Sequence, residues 1–137
     1  MVASAIELNV QVKDTVFDPN LAPSAHKKVH VNETEGTTLY KVWLYLAGED
    51  LPYVDSVTYS LHETFPNPKR KVKLTPSNPN CQLVIWTWGV FTVKAKIEDK
   101  RGLTFEISHY LTYDQELPPN DDAYDHGESN RAKLVSA

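Results

Sequence analysis

A period of two is the feature that most constrains this chain. In residues 6–12, Ile6, Leu8, Val10 and Val12 alternate with Glu7, Asn9 and Gln11. Val57, Tyr59 and Leu61 alternate with Thr58, Ser60 and His62; Val93, Ala95 and Ile97 alternate with Thr92, Lys94 and Lys96. Phe105, Ile107 and Leu111 alternate with Glu106, Ser108 and Tyr110, which puts His109 at an inward position. Such runs set one face of a strand against a core and the other in water. Residues 40–46 are apolar on both faces, through Val42, Leu44, Leu46, Trp43 and Tyr45. They predict a central strand whose second face is covered by loops or by a partner.

The punctuation agrees. Asp18-Pro19-Asn20, Gly48-Glu49-Asp50, Pro66-Asn67-Pro68, Pro76-Ser77-Asn78-Pro79-Asn80 and Asp99-Lys100-Arg101-Gly102 are turn sequences. The last of them separates two alternating runs and predicts a hairpin. No twelve-residue window carries a helical stripe. With nine prolines, the expected fold is all-β, an immunoglobulin-like β-sandwich of seven or eight antiparallel strands. The pattern stops after Tyr113. The expected organisation is a sandwich over 1–113 and an acidic, proline-containing tail over 114–137, with a short helix near 131–135.

Composition removes several function classes. A chain of 137 residues suits one domain and buries a core without disulfides. Cys81 is the only cysteine, which fits a reducing compartment. No apolar run nears the roughly 20 residues of a membrane span, and the first residues lack the pattern of a signal peptide. Asn32-Glu33-Thr34 matches a glycosylation sequon by chance on that reading. The net charge of -4 argues against whole-surface nucleic-acid binding. Charge is unevenly spread: Lys69-Arg70-Lys71 with Lys73 is basic, and Asp114, Glu116, Asp121, Asp122, Asp125 and Glu128 are acidic. Both read first as solvated segments.

A search for chemistry finds no phosphate loop, no nucleophile elbow and no metal-ligand spacing. The five glycines are scattered, His26 and His30 stand four apart on a segment not read as a helix, and Asp121, Asp122 and Asp125 lack the spacing of a calcium loop. No catalytic residue, metal or cofactor is expected. Two loops remain. One is Leu61-His62-Glu63-Thr64-Phe65-Pro66-Asn67-Pro68, and the other is Trp86-Thr87-Trp88-Gly89-Val90-Phe91. Phe65 and Trp88 are large apolar residues on turns. They either plug an end of the sandwich or bind something.

These blocks resemble the signature of YEATS domains, in which Leu-His-x-Ser/Thr-Phe-x-x-Pro is followed by a Gly-aromatic-Gly/Ala-x-Phe block. Glu35-Gly36, residues 40–46 and Gly48-Glu49-Asp50 are similar to the family's first loop, strand and turn, so the resemblance covers residues 6–113. It implies an immunoglobulin-like fold and an acyl-lysine reader. By position, the ligand-binding residues would be His62, Thr64, Phe65, Trp88 and Gly89. Phe65 and Trp88 would form the aromatic walls and His62 would shape the channel. The Thr64 hydroxyl would bond the acyl amide, and the Trp88 backbone N–H its carbonyl. Thr64 stands for the commoner serine, Thr87 for a glycine, and Thr37 where an aromatic often closes the pocket, which leaves Leu39 or Tyr40 as the substitutes there.

The partner this implies is an acetylated or crotonylated lysine on a peptide or protein, histone-like in a eukaryote. The expected setting, from composition, is cytoplasmic, or nuclear in a eukaryote, with no direct nucleic acid and no membrane span in this chain; other domains of a larger protein are further expected partners. YEATS-like domains also occur in prokaryotic signalling proteins. The alternative reading is therefore a protein-interaction or scaffold domain of a bacterial multidomain protein with a vestigial pocket.

Overall fold

The computed structural model describes residues 8–22 and 27–126. Among them are nine strands: β1 (Gln11–Thr15), β2 (Val29–Thr34), β3 (Thr37–Ala47), β4 (Val54–Ser60), β5 (Lys69–Lys73), β6 (Leu83–Thr87), β7 (Thr92–Asp99), β8 (Thr104–Tyr110) and the two-residue β9 (Tyr124–Asp125). One sheet has the order β5-β4-β7-β8. The other runs β1-β3-β2-β9, with β6 also paired to β3. The fold is all-β, of the immunoglobulin-like sandwich class. Eight strands match the expected number, and β9 adds a short parallel pairing to β2.

The chain divides into two compact units. The first holds residues 1–13, 44–83 and 91–111. Its sheet is antiparallel throughout. Its core is the inward set foreseen from alternation: Val57, Tyr59, Val93, Ala95 and Ile97 are fully buried. The Tyr59 hydroxyl donates to the Cys81 carbonyl at 2.8 Å, so the one polar atom on that ring is satisfied where it is buried. Burial pushes the Cys81 thiol up to about 11, and the charge of Asp55 adds to this. The β7–β8 hairpin closes on Asp99. Its Oδ1 accepts the N–H groups of Arg101 and Leu103 at 2.9 and 3.0 Å, and Gly102 takes the positive φ of 88° that the turn needs.

The second unit holds residues 14–43, 84–90 and 112–137. The β2–β3 hairpin turns through Glu35 (φ 51°) and Gly36 (φ 79°). Two consecutive positive φ values are the mark of the tight turn that matches strand twist. Along its part of β3, the neighbours Val42 and Trp43 are both buried, as the two-sided apolar run predicts. Within this unit the Trp43 ring is covered by the chain itself: the Lys41 ammonium lies 5.1 Å from its centroid and the His30 ring meets it edge-on at 6.2 Å.

Part of the segment expected as a tail is structured. The Glu116 carboxylate accepts the Val16 N–H at 2.9 Å and the Thr15 hydroxyl at 3.1 Å. Tyr124 and Asp125 pair with Val29 and His30, and Asp125 lies 3.4 Å from the His30 ring nitrogen. A two-residue pairing and one capping carboxylate leave no periodicity for sequence reading to find. The expected helix near 131–135 lies outside the described residues, as do His26, Ile6 and Glu7.

Candidate functional site

The loop between β4 and β5 is built from its own hydrogen bonds. Leu61 N–H donates to the Pro68 carbonyl at 2.7 Å, which closes the base. Phe65 N–H donates to the His62 carbonyl at 3.0 Å, and Asn67 takes a positive φ of 49°, a conformation that asparagine tolerates.

Inside this frame His62, Thr64 and Phe65 act together. His62 Nδ1 accepts the Thr64 backbone N–H at 3.2 Å and lies 2.9 Å from the Thr64 hydroxyl. The roles at this contact depend on the tautomer: with the ring hydrogen on Nε2, Nδ1 accepts from both groups. The hydroxyl proton of Thr64 is then directed at Nδ1. That leaves the oxygen's lone pairs free to accept from an incoming donor. The Phe65 ring is half-buried. It packs on Phe91 at a centroid distance of 5.3 Å, and Phe91 also meets His62 edge-on at 6.1 Å.

Arg70 fixes the far side of the loop. Its guanidinium donates to the carbonyls of Asn67 and Pro66 at 3.2 and 3.0 Å, and lies 5.9 Å from the Phe65 centroid. In the sequence Arg70 belongs to a basic cluster and Phe91 to a motif, and neither carries a signal of its own for the site. The signal was parity. Phe91 is in phase with Val93 and Ala95, and Arg70 is the even residue between outward Lys69 and Lys71, so both side chains turn toward the packed side of their sheet.

Trp88 and Gly89 lie in the second unit, on the bend that follows β6. Trp88 is 70% exposed. Thr87, which stands where the resemblance expects a glycine, is buried. Its hydroxyl donates to the Gly89 carbonyl at 2.9 Å and accepts the Gly89 N–H at 3.3 Å. This local loop of hydrogen bonds is a frequent use of threonine at a turn. Gly89 itself has no positive φ, and a Cβ there would meet open space. Thr87 also bonds Tyr113, whose pKa burial pushes up to about 12. Thr37 is exposed at the β2–β3 turn, while Tyr40 is half-buried against the Tyr113 ring at 5.9 Å. Among the described residues, no group of three or more His, Cys, Asp or Glu side chains is placed to hold a metal ion, and no helix is long and apolar enough to cross a membrane.

The model of the prokaryotic YEATS domain family matches residues 40–112. This chain belongs to that family. The matched region contains both loops, His62 to Pro68 and Trp88 to Phe91. A relative in Schizosaccharomyces pombe, transcription initiation factor TFIID subunit 14, is 39% identical over 69 residues, which is 49% of this chain and 27% of that protein. The chain therefore spans about a quarter of that relative's length. Among solved structures, the yeast AF-9 homologue Yaf9 is 20% identical, with 76% of this chain and 69% of that one covered and a TM-score of 0.46. A Yaf9 YEATS domain recognising a succinylated histone H3 peptide is 20% identical (82% and 80% covered, TM-score 0.48). The Yaf9 YEATS domain bound to an acetylated histone H3 peptide is 18% identical (96% and 98% covered, TM-score 0.48).

Proposed function

We propose that this YEATS domain is a reader of acylated lysine, acetyl or crotonyl, or of a related acyl amide on a partner protein. The ligand-binding residues are His62, Thr64 and Phe65 on the β4–β5 loop, with Trp88 and Gly89 on the bend after β6. The observation that carries the reading is the His62–Thr64 pair. In the tautomer whose Nδ1 takes the Thr64 hydroxyl proton, at 2.9 Å, the Thr64 oxygen is an acceptor, which suits an amide N–H. The Trp88 backbone N–H donates to the acyl oxygen. Phe65 and the exposed Trp88 indole are the rings this reading assigns to a flat amide, by the offset stacking that π-systems prefer.

Discrimination follows from charge. Acylation removes the lysine's positive charge. An unmodified ammonium would have to be desolvated, and it would meet the Arg70 guanidinium already set over Phe65. Both effects favour the neutral ligand.

Titrating intrinsic tryptophan fluorescence with acetyl-lysine, crotonyl-lysine and unmodified peptides tests the reading. Saturation by the acylated forms alone is expected, weakened at least about twofold by Trp88→Ala, since a lost stacking partner is worth about 0.5–1.5 kcal/mol beyond the area it buries. No response at millimolar peptide would sink the reading and favour an interaction domain that keeps the fold without the ligand.

A further inference from the structure

The outward face of the β5-β4-β7-β8 sheet separates charge in a way the site does not use. The register places residues side by side in rows across the strands. One row is Lys69, Ser60, Lys94 and Ser108; the next is Lys71, Thr58, Lys96 and Glu106; the third is Lys73, Ser56, Glu98 and Thr104. All five lysines are exposed, and none makes an ion pair among the described residues. The face carries five cations against two carboxylates in a chain whose net charge is -4. Glu106 stands on β8 and Glu98 on β7 in the third row, so the first two rows of the block bounded by β5 and β7 carry positive charge alone. Hydroxyls of Thr58 and Ser60 lie between its lysine columns. Tyr110, 60% exposed, sits on the same face at the end of β8.

We infer that this face docks on an anionic lipid surface. The block is wide and regular: lysines on one strand recur about every 6.7 Å, and the β5 and β7 columns lie roughly 10 Å apart. That suits an extended layer of negative charge better than a single phosphate. Every cation on the face is lysine. Arginine is the residue of bidentate phosphate and nucleic-acid recognition, whereas lysine acts as a strongly hydrated point charge. Arg70, the one arginine of β5, is turned to the other side and spent on the loop carbonyls. A single-stranded nucleic acid would call for rings interleaved among the cations. The face offers hydroxyls there and one ring, at its margin, where a tyrosine suits the headgroup level of a bilayer. Lysine clusters of this size are attracted to anionic leaflets over about a Debye length.

Flotation with vesicles tests this. The full chain is mixed with phosphatidylcholine vesicles, pure or with about 30% phosphatidylserine, an anionic lipid of the kind that attracts polybasic clusters. Binding to the anionic vesicles only is expected. It should fade as salt rises from about 0.1 M to about 1 M, over which the Debye length falls from about 10 Å to about 3 Å. The triple variant Lys71→Gln, Lys94→Gln, Lys96→Gln should lose at least about tenfold in partitioning; Lys13→Gln with Lys28→Gln should not. Thermal melts of both variants show that each is folded. Equal binding to neutral vesicles, no anionic binding at low salt, or an unaffected triple variant would overturn the inference. So would tighter binding, in fluorescence anisotropy, to a DNA duplex or single strand than to the anionic vesicles.

Discussion

Gly48 and Gly89 look alike in the sequence and differ in what they do. Gly48 has a φ of 133°, and a Cβ there would collide with the Asn9 backbone carbonyl. Gly48→Ala is expected to lower stability by about 1–3 kcal/mol, the usual cost of a residue forced into a sparsely populated conformation. Gly89→Ala should stay within about 0.5 kcal/mol, because its backbone is ordinary and the space beside it is open. Chemical denaturation of the two variants checks the contrast. Neither outcome follows from sequence, since a glycine's letter does not carry its φ. Thr87 teaches the same point. Read as a misfit for a glycine, it is the hydrogen-bonding centre of the Trp88 bend. Arg70 is a third case. Its two bonds to loop carbonyls come from one planar fork, so Arg70→Lys should loosen the Phe65 loop even though the charge remains. The measurement is amide hydrogen exchange across residues 61–68, which should speed up in the lysine variant while the β7 core stays protected.

Elements carry the parts of the account that alternation made legible. β4, β7 and β8 were readable because each buries one face and wets the other, and β3 because both of its faces are apolar. The β7–β8 turn was readable from Asp99 to Gly102, but not the charge arrangement inside it. Burial alone would raise the pKa of Asp99, yet the Arg101 guanidinium and the backbone N–H groups of Leu103 and Arg101 hold it below the usual carboxylate value. A lowered folded-state pKa contributes stability that is present above the unfolded value, about 3.9, and is lost as the pH falls through the folded value. The wild-type melting temperature should therefore fall more steeply than that of Asp99→Asn as the pH drops from about 5 toward about 3, with the difference between them smallest at the acid end. The segment from Tyr113 to Asp125 was not legible as structure, because a capping carboxylate and a two-residue strand have no period. Glu116→Ala strips the partner from the buried Val16 N–H and should cost about 1–3 kcal/mol, read by urea denaturation.

At the scale of the whole molecule, family and fold class follow from independent lines. The strand pattern alone reaches an all-β sandwich, and the match over residues 40–112 identifies a prokaryotic YEATS domain. The candidate site was half legible. The motif put His62, Thr64 and Phe65 on one loop, and they form one hydrogen-bonded, ring-packed group there. Phe91 and Arg70 were hidden because their role depends on which face of a strand they take, and Phe65 completes its packing on partners distant in sequence. The central claim is that an acyl amide binds on this group with the Thr64 oxygen as acceptor. NMR chemical-shift mapping with a crotonyl-lysine peptide, on wild type and Thr64→Val, measures it most directly. The account predicts saturable shifts at residues 61–65 and 88–91, unmatched by unmodified peptide, and at least about fivefold weaker binding in the near-isosteric valine variant, the loss expected when a ligand N–H is left unpaired. Shifts confined to other surfaces, or a Thr64→Val variant that binds as tightly as wild type, would contradict it.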